Sequence, residues 1–445
     1  MIYSMKKRFL VITCILIITL FSLSGCYDAR SIEELAYATA IGLDISDNKT
    51  LTLTIQFSIP SSNSESGSSQ SSKTDIISVD CTSINSGLSL INSFISKEIH
   101  LSHCNVIVIS EELAVQGISE YIDTLANHIE IRPDCNIIIS RCDAKEFINN
   151  ATPSIEALTA RYYEVALNSS EYTGYTIPVR LSDFIGDIKS SFIQGHAILG
   201  NVNFNTASNG SNNEGGNSGQ SGGSSQSSSQ SNSQSASQSV SQSNEGFYNG
   251  LDSHYSAGET PINESSSSVE TFGTAVFYDD KLVGELNGME TICHLIITDN
   301  LKSCILPVPD PFNVNDNIDL RIDKKRSPNI EVNIINGSPY ISIEIFLEGI
   351  GLSLDENTNY NSKDDIKILN TYAEEYLRLQ LLDYCYKTAK EYNSDISGFG
   401  KYVLSDYLTW EDWLNSNWLE NYKNSFFDIK VNVDINSGYE FNKSP

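Results

Sequence analysis

Hydrophobic and polar residues alternate cleanly over residues 50–57, a pattern that predicts a strand with one buried face. The apolar residues 36–43 precede this segment, and Asp47-Asn48-Lys49 lies between the two, so we expect a hairpin. A stretch composed almost entirely of Ser, Asn, Gly and Gln then covers residues 60–72, and regular structure is expected to resume at residues 75–79. The chain is therefore predicted to begin with a β-hairpin followed by a polar loop.

Strands and helices are predicted to alternate in the region that follows. An unbroken β-branched run at residues 106–110 is typical of a strand buried on both faces. Ser110 stands at the position from which it is expected to cap the next helix. The predicted elements, in order, are a helix at 85–95, the strand at 106–110, helices through residue 129, a strand at 134–140, a helix at 143–149 and a helix at 155–167.

The C-terminal part of the chain is richer in hairpins. Two strand pairs are separated by short turn sequences, Asp279-Asp280 in the first and Asn336-Gly337 in the second. Apolar residues at helical spacing then predict a long helix over residues 364–392, and strict alternation predicts a last strand over 427–435.

A compositional break separates these two regions. Residues 201–268 consist mainly of Ser, Asn, Gly and Gln, and such a tract buries too little apolar surface to offset the entropy of ordering. We therefore predict an α+β protein in which two mixed α/β-sheet domains are joined by a disordered low-complexity linker. The expected organisation is a lipoprotein signal peptide at 1–25, an N-terminal domain at 26–200, the linker at 201–268 and a C-terminal domain at 269–445.

The N-terminus has the composition of a signal peptide. Three basic residues at positions 6–8 precede a mostly apolar run at 9–23, which as a helix would span about 22 Å, less than the bilayer core of about 30 Å. Leu23-Ser24-Gly25 then places small residues before Cys26, the order that a lipoprotein signal peptidase accepts. Cys26 is the predicted lipid-attachment residue. The alternatives are a secreted protein in which Cys26 is incidental, or an uncleaved anchor.

The strong negative charge of the chain argues against polyanionic partners. The formal net charge is −28, and removal of the signal peptide, with its three basic residues and no acidic ones, would make it −31. Such a balance argues against binding to nucleic acid and against electrostatic attraction to anionic lipid. Seven of the nine cysteines would remain as thiols after processing at Cys26, and most are expected to be small buried hydrophobic residues.

The sequence offers little catalytic chemistry. His100 and His103, beside Cys104, form the only cluster with metal-like content, and their position at a strand entry favours a structural role. No serine-hydrolase, zinc-protease, phosphate-loop or dinucleotide motif is present. The tryptophans between 410 and 418 are expected in the core or at an interface. The chain is therefore predicted to be non-enzymatic, with no cofactor and no metal.

Several motifs, in a fixed order, resemble those of the Ger(x)C lipoproteins, the C subunits of nutrient germinant receptors in endospore-forming bacteria. Tyr27 stands where that family usually has Trp, and Ala29 where it usually has a basic residue. The matching elements are Cys26-Tyr27-Asp28, Ile32–Ala36, Thr39–Asp44, a His before an apolar strand, Glu111–Ala114, Arg132, Glu290-Thr291, Asp395, Gly398 and Gly400, the spaced tryptophans and the final strand.

The resemblance implies a non-catalytic subunit held on the membrane by a diacylglyceryl anchor. It implies integral membrane A and B subunits as partners, at the outer face of the spore inner membrane, and a role in receptor assembly or signalling during germination. An extracytoplasmic solute-binding lipoprotein of a transporter is the alternative, and a lipid-tethered enzyme is a third possibility. Genes for two receptor-type membrane proteins beside this one would favour the first, and a permease with an ATPase would favour the second.

Overall fold

The structure is a computed structural model with two mixed sheets, which confirms the predicted α+β class. It describes residues 5–6, 8–15, 31–46, 48, 50–59, 73–151, 159–168, 170–203, 252–262, 268–313, 316–352, 360 and 363–437. Residues 8–15 are helical. In the described part of the chain, no helix combines the length and the apolar character needed to cross a membrane.

The first sheet contains nine strands, in the order β3-β2-β1-β5-β6-β7-β8-β9, with β4 paired to β1. The strands are β1 (Leu35–Ile45), β2 (Leu51–Ile59), β3 (Lys73–Cys81), β4 (Glu98–His100), β5 (Val106–Ser110), β6 (Asn136–Ser140), β7 (His196–Val202), β8 (Val269–Tyr278) and β9 (Lys281–Leu286). Strands β1, β5, β6 and β7 run parallel, whereas β2 and β3 on one side and β8 and β9 on the other are antiparallel. All four parallel strands therefore begin at the same edge.

Helices cover both faces of the parallel strands. Alternate side chains of β5 enter two different cores, Ile107 and Ile109 into one and Val106 and Val108 into the other. This double burial is why the β5 sequence is apolar throughout. The helices of this region are α1 (Ile84–Phe94), α2 (Glu111–Gln116), α3 (Ser119–Ala126), α4 (Ala144–Asn150), α5 (Thr159–Asn168), α6 (Ser170–Thr173) and α7 (Leu181–Ile188).

The second sheet has four strands, β10 (Ser303–Pro309), β11 (Asn317–Ile335), β12 (Ser338–Gly351) and β13 (Phe426–Ser437). Only β13, which runs parallel to β12, departs from an antiparallel arrangement. The apolar face of this sheet packs against the long helix α9 (Lys363–Tyr386). Buried and more exposed side chains alternate along β12 because only one face of the sheet is covered. The other helices are α8 (Gly288–Ile297), α10 (Gly400–Val403), α11 (Trp410–Asn415) and α12 (Trp418–Asn421).

The predicted hairpins are confirmed. Asn336 and Gly337 both have positive φ values, 52° and 82°, as a tight two-residue turn between twisted strands requires. The paired strands β11 and β12 extend far beyond this turn, because the pairing continues through register shifts near Arg326. The predicted capping role of Ser110 is wrong: it occupies the N-cap position of α2, but its side chain makes no capping hydrogen bond.

The first sheet continues beyond the segment predicted to be a linker. β7 ends at Val202, and the chain returns at Val269 to pair β8 antiparallel with β7. Residues 252–262 fall inside that predicted segment and pack against the fold, where the buried Ala257 accepts a hydrogen bond from Arg141 through its carbonyl oxygen. The domain boundaries at 200 and 269 stay a prediction.

A buried polar junction as the candidate functional site

A buried carboxylate organises the C-terminal segment, residues 394–418, where that segment meets the first sheet. Asp395 has no exposed surface, and its two oxygens accept hydrogen bonds from the Phe399 and Gly400 backbone N–H groups, each at 3.0 Å. The indole N–H of Trp418 donates to the same carboxylate at 2.8 Å. We use the name junction for Asp395, its donors Phe399, Gly400 and Trp418, and the neighbouring residues Ser394 and Trp413. Burial raises the pKa of Asp395 to about 6 despite these donors.

Glycine geometry allows the chain to fold around this carboxylate. Gly398 has a φ of +69°, in the left-handed region that favours glycine. A Cβ on Gly400 would lie 2.6 Å from the Phe192 carbonyl oxygen and 2.7 Å from the indole nitrogen of Trp418. The Gly-x-Gly step is therefore required by the close approach of two segments.

Hydrogen bonds cross from the junction to residues that precede β7. The Gln194 N–H donates to the Asp395 carbonyl oxygen at 3.0 Å, and the Trp413 indole donates to Ser191 Oγ at 2.8 Å. Ser394 Oγ donates to the Phe277 carbonyl oxygen at 2.5 Å, on the neighbouring strand β8. The C-terminal segment is thus bonded directly to the first sheet.

Trp413 and Trp418 are buried in the junction, as predicted. Their rings stack with centroids 6.3 Å apart, and Tyr407 lies edge-on to Trp413 at 5.4 Å. Trp410 is different, because 58% of its surface is exposed. The sequence could not separate these roles, since the three indoles lie within nine positions of one another.

A chain of buried polar side chains extends from the junction toward β7. Ser397 Oγ lies 2.7 Å from the Tyr384 hydroxyl, which lies 2.8 Å from His294 Nδ1. The His294 ring packs against that of His196, with centroids 4.9 Å apart. Burial lowers the pKa of His196 to about 4 and that of His294 well below its usual range, so both imidazoles are neutral.

Sequence reasoning missed these histidines. His294 reads as an isolated residue, and its partners Tyr384 and Ser397 lie about ninety positions or more away in sequence. Asp187 approaches His196 Nδ1 at 4.0 Å, and burial, with the nearby Asp183, raises the pKa of Asp187 to about 7. No local pattern in the sequence announces such a set.

An ion pair strengthens the connection between α8 and the end of α9. Lys387 Nζ donates to both oxygens of Glu290 at 2.8 Å, and both side chains are largely buried. Glu290 also forms a capping box with Asn287 at the start of α8. The Tyr392 hydroxyl donates to the Glu285 carbonyl oxygen on β9 at 2.8 Å.

The other residues singled out in the sequence lie elsewhere. Cys26 falls outside the described residues. His100 and His103 both pack against Tyr37, and His100 Nδ1 lies 2.8 Å from Ser102 Oγ. Across the described ranges, no group of three or more His, Cys, Asp or Glu side chains is arranged to hold a metal ion.

The cysteines behave mainly as core residues, as predicted. Within the described residues none of them forms a disulfide, and six are buried: Cys81, Cys104, Cys135, Cys293, Cys304 and Cys385. Cys142 is half-buried.

The junction and its surroundings offer packing and hydrogen bonds between segments, and the two Asp395 oxygens already accept from three donors.

Comparison with known proteins gives the family. The profile described as "Spore germination protein N-terminal domain" matches residues 28–203, and the one described as "Spore germination B3/ GerAC like, C-terminal" matches residues 272–438. The crystal structure of the GerBC protein is similar at 16% identity and a TM-score of 0.48, covering 89% of this chain and 96% of that chain.

Two proteins of Bacillus subtilis (strain 168) are similar in sequence. Spore germination protein KC is 20% identical over 201 residues, which are 43% of this chain and 49% of that protein. The putative spore germination protein YfkR is 23% identical over 189 residues, 41% of this chain and 47% of that protein. The chain thus spans about half the length of these curated relatives. With both profiles matched in order along most of its length, the chain belongs to the Ger(x)C family of spore germination proteins.

Proposed function

We propose that this chain is a lipid-anchored, non-catalytic subunit of a nutrient germinant receptor. It supports receptor assembly and signalling with integral membrane A and B subunits at the outer face of the spore inner membrane. The observation that carries this proposal is the match of both family profiles, at residues 28–203 and 272–438. The proposed division into domains at 26–200 and 269–445 follows the same two segments.

The junction supports a role in transmitting displacement. Asp395, Trp413 and Ser394 bond to residues of the first sheet or its loops, and the Phe399 ring packs against Phe427 of β13. A force applied to one sheet is therefore passed to the other through this segment. A buried, hydrogen-bonded connection of this kind resists relative sliding of the two parts. This is the property that a subunit needs if it relays a change between membrane-embedded partners.

The solute-binding alternative receives less support. Lobes of that class alternate strand and helix around parallel sheets, whereas the second sheet here is built from long hairpins, with one parallel pair between β12 and β13. The family match also points to germination. The anchored-subunit proposal is therefore the one we retain.

The proposed anchor is tested by Cys26→Ala, with Cys142→Ala as the matched cysteine control. We expect the Cys26 variant to leave the membrane fraction and to lose its acyl label, and the control to keep both. Acylated protein from the Cys26 variant would contradict the assignment.

The proposed receptor role is tested in spores that lack the chain. They are expected to lose the response to at least one nutrient and to regain it when the intact chain is restored. Unchanged responses across a broad nutrient panel would contradict the role.

A further inference from the structure

The parallel strands of the first sheet begin at one edge, and the chain enters the fold there. β1 starts at Leu35, and β4 runs parallel beside it, with Glu98 opposite Leu35. We use the name amino edge for the loops that precede β4, β5, β6 and β7, namely residues 95–97, 101–105, 127–135 and 189–195. The described segment that contains β1 begins at Ser31, so the proposed lipid at Cys26 is attached close in sequence to this edge.

Large apolar side chains are exposed at this edge to an unusual degree. Ile129 is 98% exposed, Leu408 97% and Phe94 81%, the three highest values for large hydrophobic residues in the described chain from residue 31 onward. Single exposed apolar residues are ordinary on protein surfaces. These three side chains differ from scattered surface residues because all of them lie at the amino edge.

Phe94 and Ile129 flank β4. Phe94 is the last residue of α1, and the side chain of Asn92 in the same helix accepts a hydrogen bond from the Ile99 N–H at 2.9 Å. Ile129 precedes Glu130, whose carboxylate accepts from the Leu101 N–H at 2.9 Å. Because β4 pairs with the first residues of β1, both exposed side chains lie beside the point where the chain enters the fold.

Leu408 is held at the same edge by the junction. It follows Tyr407, whose ring contacts Trp413, and Trp413 donates to Ser191 in the loop that precedes β7. Trp410, one helical turn before Trp413, is 58% exposed. Indole rings are favoured where an apolar surface meets water, as at a membrane interface.

The length of the tether limits what can face this edge. Four residues lie between Cys26 and Ser31, and the five Cα-to-Cα steps from one to the other reach only about 17 Å even when fully extended. If lipid is attached to Cys26, the bilayer surface must therefore lie within that distance of the start of the fold. The short tether therefore makes a lipid bilayer the partner that we infer for this edge.

We propose that the amino edge is the membrane-facing surface of the protein, with Phe94, Ile129, Leu408 and Trp410 inserted into the lipid interface. This inference rests on the proposed anchoring at Cys26. The net charge, −28 for the whole sequence and −31 after removal of the three basic residues at 6–8, makes attraction to anionic headgroups an unsuitable driving force, so apolar insertion is the contact chemistry that remains. The anchor and the edge then act together, one holding the protein at the membrane and the other fixing its orientation.

The test uses the full mature chain coupled chemically through Cys26 to a maleimide lipid in phosphatidylcholine vesicles. A Cys142→Ser background removes the half-buried thiol. Brominated acyl chains quench nearby tryptophans, so we expect a loss of emission that the Trp410→Phe variant does not show. The buried Trp413 and Trp418 serve as internal references and should not be quenched.

A second measurement compares matched variants without the tether. Phe94→Ser with Ile129→Ser should lower partitioning into the same vesicles by about tenfold or more. Tyr172→Ser with Ile262→Ser is the control, because these exposed residues lie away from the amino edge. Ile262 lies close to Thr260, which bonds to Asn203 just beyond the end of β7, and Tyr172 follows Glu171, which pairs with Lys302. The control pair should leave partitioning unchanged.

Unquenched Trp410, or an equal loss of partitioning in the control pair, would overturn the proposal. Protection of the edge only in native membranes that contain the receptor subunits, with none in lipid vesicles, would also overturn it and identify a protein contact instead. Absence of lipid on Cys26 in spores is measured separately by mass spectrometry. That result would refute the proposed function, whereas the chemical tether decides which face meets the bilayer without cellular lipidation.

Discussion

Replacement of Asp395 by Asn isolates the energetic consequence of burying a charge in the junction. The side chain keeps its size, but it has one acceptor oxygen where the carboxylate has two. At least one of the donors among Phe399, Gly400 and Trp418 then loses its partner. An unsatisfied buried donor costs about 1–3 kcal/mol, so the variant is less stable at acidic pH.

The pH dependence carries the sharper test. Burial raises the pKa of Asp395 from 3.8 to about 6, so the folded state prefers the protonated carboxyl. Below the unfolded-state pKa the carboxyl is protonated in both states, so its burial does not lower the free energy of unfolding through charge. As the pH rises through both values, the folded chain must hold a buried charge and loses up to about 3 kcal/mol. The Asn variant has no such titration.

Urea unfolding, followed by the emission of the buried indoles, measures the effect. Between about pH 5 and about pH 7.5, the free energy of unfolding of Asp395→Asn should gain about 1.4 kcal/mol relative to that of the unmodified chain. Every other titrating group, including Asp187, is present in both proteins and cancels. Asp406→Asn is the control, because that side chain is exposed, and its stability should run parallel to that of the unmodified chain. A parallel course for Asp395→Asn would refute the reasoning.

Three further predictions concern packing, charge and the polar tract. Gly400→Ala should lower stability by about 1–3 kcal/mol because its Cβ would meet backbone, whereas Gly186→Ala, with open space around it, should raise helix stability by up to about 1 kcal/mol; thermal melts compare them. Lys387→Met should cost about 1–3 kcal/mol by leaving the largely buried Glu290 carboxylate without its cation, and adding Glu290→Gln should recover part of that loss in a double-mutant cycle. Deleting residues 205–250 should leave the melting temperature unchanged, since that tract is poor in apolar residues; a clear drop would show that it packs.

Local chemistry made much of the fold predictable. The Asn336-Gly337 turn and the apolar β5 segment each encode their structure within a few residues, through turn geometry and through burial on both faces. The pairing of β8 with β7 is different, because it joins segments separated by more than sixty residues of sequence. Nothing in a local pattern specifies which strand accepts the returning chain.

The junction shows the same division. Asp395 and the glycines after it attract attention in the sequence through their family resemblance, and Trp413 and Trp418 are expected in a core. His196 and His294 could not be assigned, since their burial depends on elements that meet only in the folded chain. The exposed Ile129 likewise reads in sequence as part of a helical stripe, whereas α3 ends at Ala126 and leaves it in solvent.

The most direct test of the central claim is quantitative mass spectrometry of the complex captured from detergent-solubilised spore inner membranes through a tag at the C-terminus of this chain. The account predicts lipid on Cys26 and co-purification of two multi-span membrane proteins in comparable amounts. The Cys26→Ala variant should carry no lipid and should recover neither membrane protein. Recovery of the unlipidated chain alone, or with a permease and an ATPase, would contradict it.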